Sequence, residues 1–324
     1  MLFVFKKSGT RVDLTSMAKK VEIGTGVWRL VITPPLHGYL NMAVDELFLT
    51  EARNGERPPT LRFYQWEGDW ISFGYFQTPQ KAFNLEEAEK SGVCSVRRLT
   101  GGRAVLHSED LTYALVAGDA QKEGLGSSLK ETYRQIACAL TSGFTRLGLP
   151  VAFSFREKPP ARLPTEGPAA CFLTLSDYEI STGGKKLVGS AQRREGSSFL
   201  QHGSIPLTIR NRQLAERVLT RKAPSVPPGI GAGSSFGSRY ATVEEVAGRK
   251  IPVEDLSAAL KKGFGEVFGV EFEEEEFSSE QLAEAHRRAE QYALPGWNER
   301  KAGSADFGRA EAAPAEAVYD RKKS

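Results

Sequence analysis

The sequence predicts an α+β fold in which mixed or antiparallel sheets are flanked by helices, and two observations support this. Segments with the alternation typical of strands come in clusters, with helical segments between and after them rather than in strict alternation. An amphipathic helix is indicated where Tyr133, Ile136, Leu140 and Phe144 recur at three- and four-residue steps. The clustering argues against an all-parallel sheet, which needs a crossover after each strand.

The other elements follow along the chain. Asn41 is expected to cap a helix that runs to Arg53, and Thr242 with Glu245 has capping-box spacing before a short helix. Further helices are expected over 84–91, 253–268 and 279–292. Strands are expected over 28–32, 60–66, 70–75, 93–98, 111–116, 178–181, 186–193 and 199–207. Loops rich in proline and glycine are expected over 157–168 and 224–240.

The bulk composition predicts one main domain. We expect it to span residues 26–300, with an irregular leader over 1–25 and a disordered tail over 301–324, where apolar residues are sparse. The formal net charge of +3 is too small to indicate a nucleic-acid partner. The apolar start is too short for a signal peptide, and no apolar run is long enough to cross a membrane. We therefore expect a cytoplasmic protein with no membrane partner.

The three cysteines are Cys94, Cys138 and Cys171. An odd, sparse set argues against a disulfide scaffold, and the spacings lack the close pairs of a zinc site, so no metal is expected. Cys138 lies within the amphipathic helix, which favours a core role. Cys171 follows a Pro- and Gly-rich loop and can reach a pocket, although a structural role stays open. A thiol needs a nearby cation to ionise near neutral pH, and Lys186 is the candidate.

A glycine pair flanked by arginines follows one of the predicted strands. The segment runs Arg97-Arg98-Leu99-Thr100-Gly101-Gly102-Arg103 and continues to His107. Glycines let backbone N–H groups approach a ligand, and arginines donate two parallel hydrogen bonds to phosphate or carboxylate. The spacing is neither a Walker loop nor a dinucleotide fingerprint. The segment predicts an anion-binding pocket or, alternatively, a tight turn with solvated arginines.

A second polar segment is the run Lys186-Leu187-Val188-Gly189-Ser190-Ala191. It is either a hairpin with a basic tip or a strand whose Lys186 points inward beside a glycine that leaves room for a ligand. Further on, Gln201-His202-Gly203-Ser204 interrupts an otherwise apolar strand. A histidine such as His202, taken alone, is more often structural than catalytic.

Together these segments resemble the lipoate–protein ligase and octanoyltransferase superfamily, which is related in fold to biotin ligases and class II aminoacyl-tRNA synthetases. The matching motifs are Arg-Arg-x-x-Gly-Gly ending in a histidine, Lys-x-x-Gly-Ser-Ala, and the segments at 41–46, 72–77 and 201–203. The resemblance runs from about Trp28 to Trp297. It implies a catalytic domain that modifies one lysine of a small lipoyl domain.

The chain is most similar to the cysteine-dependent octanoyltransferases of the H-protein pathway, because Ala170-Cys171-Phe172 stands just upstream of the lysine strand. This resemblance implies Cys171 as the nucleophile and Lys186 as the group that holds the acyl carbonyl. It implies substrate binding by Arg98, Gly101, Gly102, Arg103, His107, Gly189, Ser190, Ala191, His202 and Gly203. The implied donor is octanoyl-acyl carrier protein, the acceptor is the glycine cleavage H protein or a lipoyl domain, and no cofactor is needed.

Two other functions stay open at this point. One is ATP-dependent lipoate ligation through an acyl-adenylate, although Arg103 replaces the third glycine usual in that branch and Ser108 follows His107. The other is a carrier-binding module without catalysis. A set of basic side chains is expected to meet acidic carrier proteins or, alternatively, to be solvated surface charges: Arg97, Arg98, Lys185, Arg193 and Arg194.

Overall fold

A six-stranded mixed sheet organises the protein. The computed structural model describes residues 3–5, 11–13, 26–155, 178–219 and 240–299. Cys171, the expected loops at 157–168 and 224–239 and the expected tail at 301–324 lie outside these residues. No helix of the described ranges is both long enough and apolar enough to cross a membrane.

Fourteen strands are present in the described residues: β1 (Phe3–Phe5), β2 (Arg11–Asp13), β3 (Val27–Ile32), β4 (Thr60–Tyr64), β5 (Trp70–Phe73), β6 (Cys94–Arg97), β7 (Val105–His107), β8 (Asp110–Ala117), β9 (Ala152–Phe155), β10 (Tyr178–Thr182), β11 (Lys185–Lys186), β12 (Gly189–Glu195), β13 (Ser198–Pro206) and β14 (Glu271–Glu274). The described helices are α1 (Gly38–Arg53), α2 (Pro79–Ala82), α3 (Leu85–Lys90), α4 (Leu129–Arg146), α5 (Arg210–Leu219), α6 (Val243–Ala247), α7 (Val253–Phe268), α8 (Ser279–Ala293) and α9 (Pro295–Asn298).

The main sheet has the strand order β12-β13-β8-β4-β3-β14. The β14–β3 and β3–β4 pairs are parallel, whereas β4–β8, β8–β13 and β13–β12 are antiparallel. Two three-stranded sheets, β6-β5-β7 and β11-β10-β9, and the β1–β2 pair complete the strands of the described ranges. The prediction of an α+β fold with mixed and antiparallel sheets is therefore confirmed.

Helices cover both faces of the main sheet. One face carries apolar side chains from β3, β4 and β8 against α4 and α7, and the other face packs against α1 and α8. The α4–α7 contact is close because glycines face each other. A Cβ added at Gly263 would lie 2.4 Å from the carbonyl oxygen of Ala139 and 2.5 Å from the backbone nitrogen of Gly143. Backbone therefore packs directly against backbone at this crossing.

The predicted role of Asn41 as a helix cap is wrong. The helix begins at Gly38, and His37 caps it by accepting a hydrogen bond from the backbone N–H of Leu40. Asn41 lies inside the first turn and is buried; its amide donates to the carbonyl oxygens of Leu36 and Gln65. A short polar side chain satisfies neighbouring backbone groups in both settings, so the sequence alone did not separate them.

The structure departs from the predicted elements in two further places. The single strand expected over 186–193 is divided, because Leu187 and Val188 carry the chain from the β9–β11 sheet to the main sheet. Tyr240, at the end of an expected surface loop, is buried and forms an isolated parallel β-bridge with Lys186. Six elements of the described residues outside the leader were not predicted, namely α2, α5, α9, β7, β9 and β14, and the leader contains the β1–β2 pair rather than being irregular throughout. The capping box of Thr242 and Glu245 is confirmed.

Candidate active site

The Gly101-Gly102 loop follows β6 and lies against the end of β5. The backbone N–H of Tyr75 donates to the carbonyl oxygen of Thr100 over 2.9 Å. A Cβ at Gly74 would lie only 2.0 Å from the carbonyl oxygen of Gly102, so glycine at 74 allows the approach. Gly102 has a φ of +87°, in the region that favours glycine. The local sequence therefore fixes the loop by close backbone packing, and it leaves Gly102 exposed to solvent.

Arg97 connects the site to the C-terminal helices. Its side chain is buried and donates to the carbonyl oxygens of Tyr75, Gln77, Trp297 and Asn298. The expectation that Arg97 meets an acidic carrier protein on the surface is therefore wrong. An arginine with this many carbonyl partners holds separate segments together.

Arg98 has the same kind of internal role inside the loop. Its Nη2 donates to the carbonyl oxygens of Gly101 and Arg103, each over 2.9 Å. Its Nη1 donates to the carbonyl oxygen and the hydroxyl of Ser72, and its Nε donates to the hydroxyl of Thr100. Because Arg98 is 4% exposed, it is not a surface group for a carrier protein either. These two hydrogen bonds from Nη2 hold the Gly101-Gly102 loop in place.

His107 lies at the end of β7 in a buried row of hydrogen-bonded polar side chains that runs from Asp110 to Ser72. Its Nε2 is 2.6 Å from the Ser72 hydroxyl, and its Nδ1 is 2.8 Å from Asp110 Oδ2. The imidazole stacks on the indole of Trp66, with ring centroids 3.8 Å apart and an interplanar angle of 15°. Asp110 also accepts from the hydroxyl groups of Thr112 and Ser204. This set of partners leaves the ring little freedom to rotate.

His202 on β13 forms a second row of the same kind. Its Nε2 is 2.7 Å from the Thr100 hydroxyl, and its Nδ1 is 2.9 Å from Asp45 Oδ2. Burial lowers the pKa of His202, and the hydrogen bond and charge of Asp45 oppose that shift only in part. Burial alone would raise the pKa of Asp45, but His202 and the Arg62 guanidinium, 2.8 Å away, bring it below the ordinary value. The pair is thus an ionised carboxylate beside a neutral imidazole.

Strands β12 and β13 supply the opposite wall. In their antiparallel register Gly189 pairs with Ser204, Ser190 with Gly203, and Ala191 with His202. The hydroxyls of Tyr113 and Ser190 are 2.8 Å apart, and burial raises the pKa of Tyr113 to about 12. A Cβ at Gly203 would lie 2.5 Å from the Tyr113 ring. Glycine is therefore needed at 203 to let this ring cross the strand.

These walls enclose a small cavity of about 20 Å³, which has room for about one water molecule. Seven predicted binding residues line it: Arg98, His107, Gly189, Ser190, Ala191, His202 and Gly203. Gly102 approaches the same wall, since a Cβ there would lie 3.5 Å from Cβ of Ala191. The structure thus brings together segments that are distant in sequence. No group of three or more potential metal-ligating side chains occurs among the described residues.

Lys186 lies beside this wall, at the end of β11. The residue is 3% exposed, and its carbonyl oxygen accepts from the backbone N–H of Ala241 over 2.8 Å. Its position three residues before Gly189 connects the β9–β11 sheet to the main sheet. Lys186 is buried but is not among the residues that line the cavity, and the expected contact with Cys171 involves a residue outside the described ranges.

Sequence reasoning gave no role to Ser72, Asp45 or Asp110. Ser72 and Asp45 lie within the matching segments at 72–77 and 41–46, so the resemblance contained a signal for both. Asp110 follows His107 by three residues, a separation too common to indicate a hydrogen bond by itself. These three side chains hold the two histidines and Arg98 in place.

Comparison with known proteins identifies the family. The model of the lipoyl protein ligase A/B catalytic domain matches residues 37–265 of this chain. The chain belongs to this family. A relative in Exiguobacterium sibiricum, named octanoyltransferase LipM, is 37% identical over 275 residues, which cover 84% of this chain and 98% of the relative. Proteins of the same name in Moorella thermoacetica and Staphylococcus aureus are 38% and 32% identical and cover 85% and 86% of this chain, with 98% and 100% of their own length matched.

Solved structures of lipoyl protein ligase family members share the fold. A lipoate-protein ligase A bound with ATP superimposes with a TM-score of 0.67 at 22% identity, covering 85% of this chain and 99% of that chain. A bi-partite lipoate protein ligase from Thermoplasma acidophilum gives a TM-score of 0.65 at 24% identity, with 84% and 96% covered. The core of the catalytic domain is therefore common to these proteins and the present chain.

Proposed function

We propose that this protein is an octanoyltransferase of protein lipoylation. It takes an octanoyl group from octanoyl-acyl carrier protein and transfers it to a lysine of the glycine cleavage H protein or a lipoyl domain. One observation carries the proposal: relatives named octanoyltransferase LipM match the chain along nearly their whole length at 32% to 38% identity. The geometry supports it, because the site is built from segments inside the family match.

Cys171 is the proposed nucleophile. Its thiolate attacks the thioester carbonyl of the donor, the carbon–sulfur bond to the carrier breaks, and the carrier leaves as a thiolate that takes up a proton. One thioester replaces another, so this step is nearly balanced in free energy and needs no ATP. The acceptor amine then attacks the acyl-enzyme, a carbon–nitrogen bond forms, the carbon–sulfur bond to Cys171 breaks, and the proton that the amine gives up goes to the departing thiolate. The amide product makes this second step favourable.

Lys186 is proposed to hold the acyl carbonyl during both steps. A buried ammonium close to a developing oxyanion stabilises it more than water does, because the interior has a lower effective dielectric. Residues of β12 and β13 around Gly189 and Gly203 form the adjoining wall. The Gly101-Gly102 loop approaches this wall from the other side.

Arg98 is used inside the loop. Its five N–H hydrogens reach oxygen atoms of Ser72, Thr100, Gly101 and Arg103, so its donors are not turned toward a nucleotide phosphate. Arg98 therefore gives no support to the alternative of ATP-dependent ligation.

Intact-protein mass measurement tests the proposal. Incubation with octanoyl-acyl carrier protein without ATP is expected to add one octanoyl group to the wild type and to Cys94→Ala, but none to Cys171→Ala. Cys94 is a matched control because it is an exposed free cysteine. Octanoylation of the H protein by Cys171→Ala would contradict the nucleophile, and a requirement for free octanoate with ATP would contradict the transferase. Carrier binding without any transfer would indicate a binding module.

A further inference from the structure

Two hydrogen-bonded rows converge on one arginine in this site. The first row runs from Asp110 through His107 to the Ser72 hydroxyl. The second runs from Asp45 through His202 to the Thr100 hydroxyl. Both hydroxyl groups accept a hydrogen bond from Arg98, one from Nη1 and the other from Nε. The two rows come from different elements and, within the part of the chain that the structure describes, both reach this guanidinium.

The two ends of each row limit the directions of its hydrogen bonds. A carboxylate only accepts, so Nδ1 of each imidazole carries a hydrogen and donates it to Asp110 or Asp45. Arginine only donates, so each hydroxyl oxygen uses one lone pair to accept from Arg98. In a neutral ring, Nε2 then accepts the hydrogen of the Ser72 or Thr100 hydroxyl.

The far ends of the rows are also fixed as acceptors. Thr112 accepts from the indole N–H of Trp66, which can only donate, and so its own hydroxyl hydrogen goes to Asp110. Asp45 accepts from the Arg62 guanidinium and the Tyr64 hydroxyl as well as from His202. Each carboxylate therefore accepts the hydrogen bond from Nδ1 of its histidine.

We propose that His107 and His202 are positioning residues, and that through Ser72, Thr100 and Arg98 they place the Gly101-Gly102 loop for acyl transfer. Arg98 in turn holds the carbonyl oxygens of Gly101 and Arg103. The inference rests on the proposed octanoyl transfer but assigns no proton transfer to either ring. It differs from the expectation that both histidines bind substrate directly.

Protonation of His202 would change this arrangement. An imidazolium presents a hydrogen on Nε2, so the Thr100 hydroxyl would have to accept it with its second lone pair and turn its own hydrogen away. The charged or titratable groups facing His202 are Asp45 on α1, Arg98 after β6 and the second ring, His107, on β7. One of these is anionic and one is cationic, so their charges partly cancel and burial is the main factor that keeps His202 neutral.

Glutamine substitution separates positioning from proton transfer. A glutamine amide has one donor and one acceptor group, spaced much as the two ring nitrogens are, and it does not titrate near neutral pH. We expect His202→Gln to keep kcat/KM for H-protein octanoylation within about tenfold of wild type. His202→Ala leaves Thr100 and Asp45 without their partner and is expected to lose about 10- to 100-fold. His286→Gln, at an exposed position, is the matched control.

A double-mutant cycle gives the second measurement. If His202 acts through the Thr100 hydroxyl, the double variant Thr100→Val with His202→Ala is no slower than the slower single variant. Additive losses would overturn the connection. A folded His202→Gln protein as inactive as His202→Ala would also overturn the inference, because it would show that the imidazole carries a proton. Absence of transfer by the wild type would instead refute the proposed function.

Discussion

Gly74→Ala tests whether backbone packing places the Gly101-Gly102 loop. The added Cβ would lie 2.0 Å from the carbonyl oxygen of Gly102. Ordinary contact starts near 3.4 Å, so the oxygen must move away by about 1.4 Å. The φ of Gly74 is outside the left-handed region, so alanine meets no backbone strain there. The perturbation is therefore a displacement of the loop and little else.

The expected magnitude follows from this displacement. Misplacing a reacting group by about 1 Å can cost about 100-fold in rate, so we expect kcat/KM to fall by about that factor. Overpacking costs about 1–3 kcal/mol, and the lower entropy of the unfolded alanine chain offsets about 0.4–1 kcal/mol of it. The loss in Tm should be small, at roughly 2–4 °C per kcal/mol. A large rate effect with a small stability effect is the expected signature.

Initial rates of H-protein octanoylation, measured by intact mass together with thermal unfolding, give the result. Gly26→Ala is the matched control, since a Cβ there has no heavy atom within 4 Å and the φ of Gly26 is equally permissive. A Gly74→Ala enzyme that transfers octanoyl groups within about twofold of wild type would refute the reasoning. The same would follow if the rate fell only in proportion to the unfolded fraction.

Two further predictions concern stability. Arg97→Ala leaves the carbonyl oxygens around it without their donor and should lower the free energy of unfolding, measured by urea denaturation, by about 3–5 kcal/mol. The control is Arg53→Ala, which removes an exposed ion pair and should lower the free energy of unfolding by about 0–1 kcal/mol. Acid should destabilise the protein in two stages. Below the ordinary histidine pKa of 6.5 the unfolded chain takes up a proton at His202, whereas the folded protein, in which the pKa of His202 is lowered, does so less readily. The stability contributed by Asp45 is lost only below the ordinary aspartate pKa of 3.8, because its pKa is also lowered in the folded protein. Urea midpoints at pH 7 and 5 should differ less for His202→Gln than for wild type, although His37, whose pKa burial also lowers, contributes in the same window; an unchanged difference would contradict the assignment.

Much of the fold was predictable because the spacing of apolar residues along the sequence indicates which faces of the helices and strands are buried. The regular apolar steps of α4 and the alternation of the central strands come directly from packing against one sheet. The strand Glu271–Glu274 was missed because four residues with three glutamates carry no apolar alternation, and its pairing with β3 depends on distant chain segments. Local patterns do not encode such tertiary pairing.

The charged residues of the site were also only partly predictable from the sequence. Arg97 and Arg98 are adjacent, and the sequence suggested surface groups or ligand donors for both. The structure buries them and uses one for the C-terminal helices and the other for the glycine loop. Whether an arginine meets solvent, ligand or backbone carbonyls depends on acceptors that other segments supply. The resemblance located the motif correctly, but the direction of each side chain depends on contacts with distant segments.

The hydrogen bonds from Arg97 to the C-terminal helices also limit how far the protein can be shortened at its C-terminal end. The family match stops at residue 265, yet Trp297 and Asn298 provide acceptors for Arg97, and β14 covers the edge of β3. A fragment cut at 265 would have buried cationic donors without acceptors and a bare parallel edge strand prone to association. We therefore expect the folding unit to be longer than the stretch that the family model matches, and a minimal form of the protein to extend through Asn298.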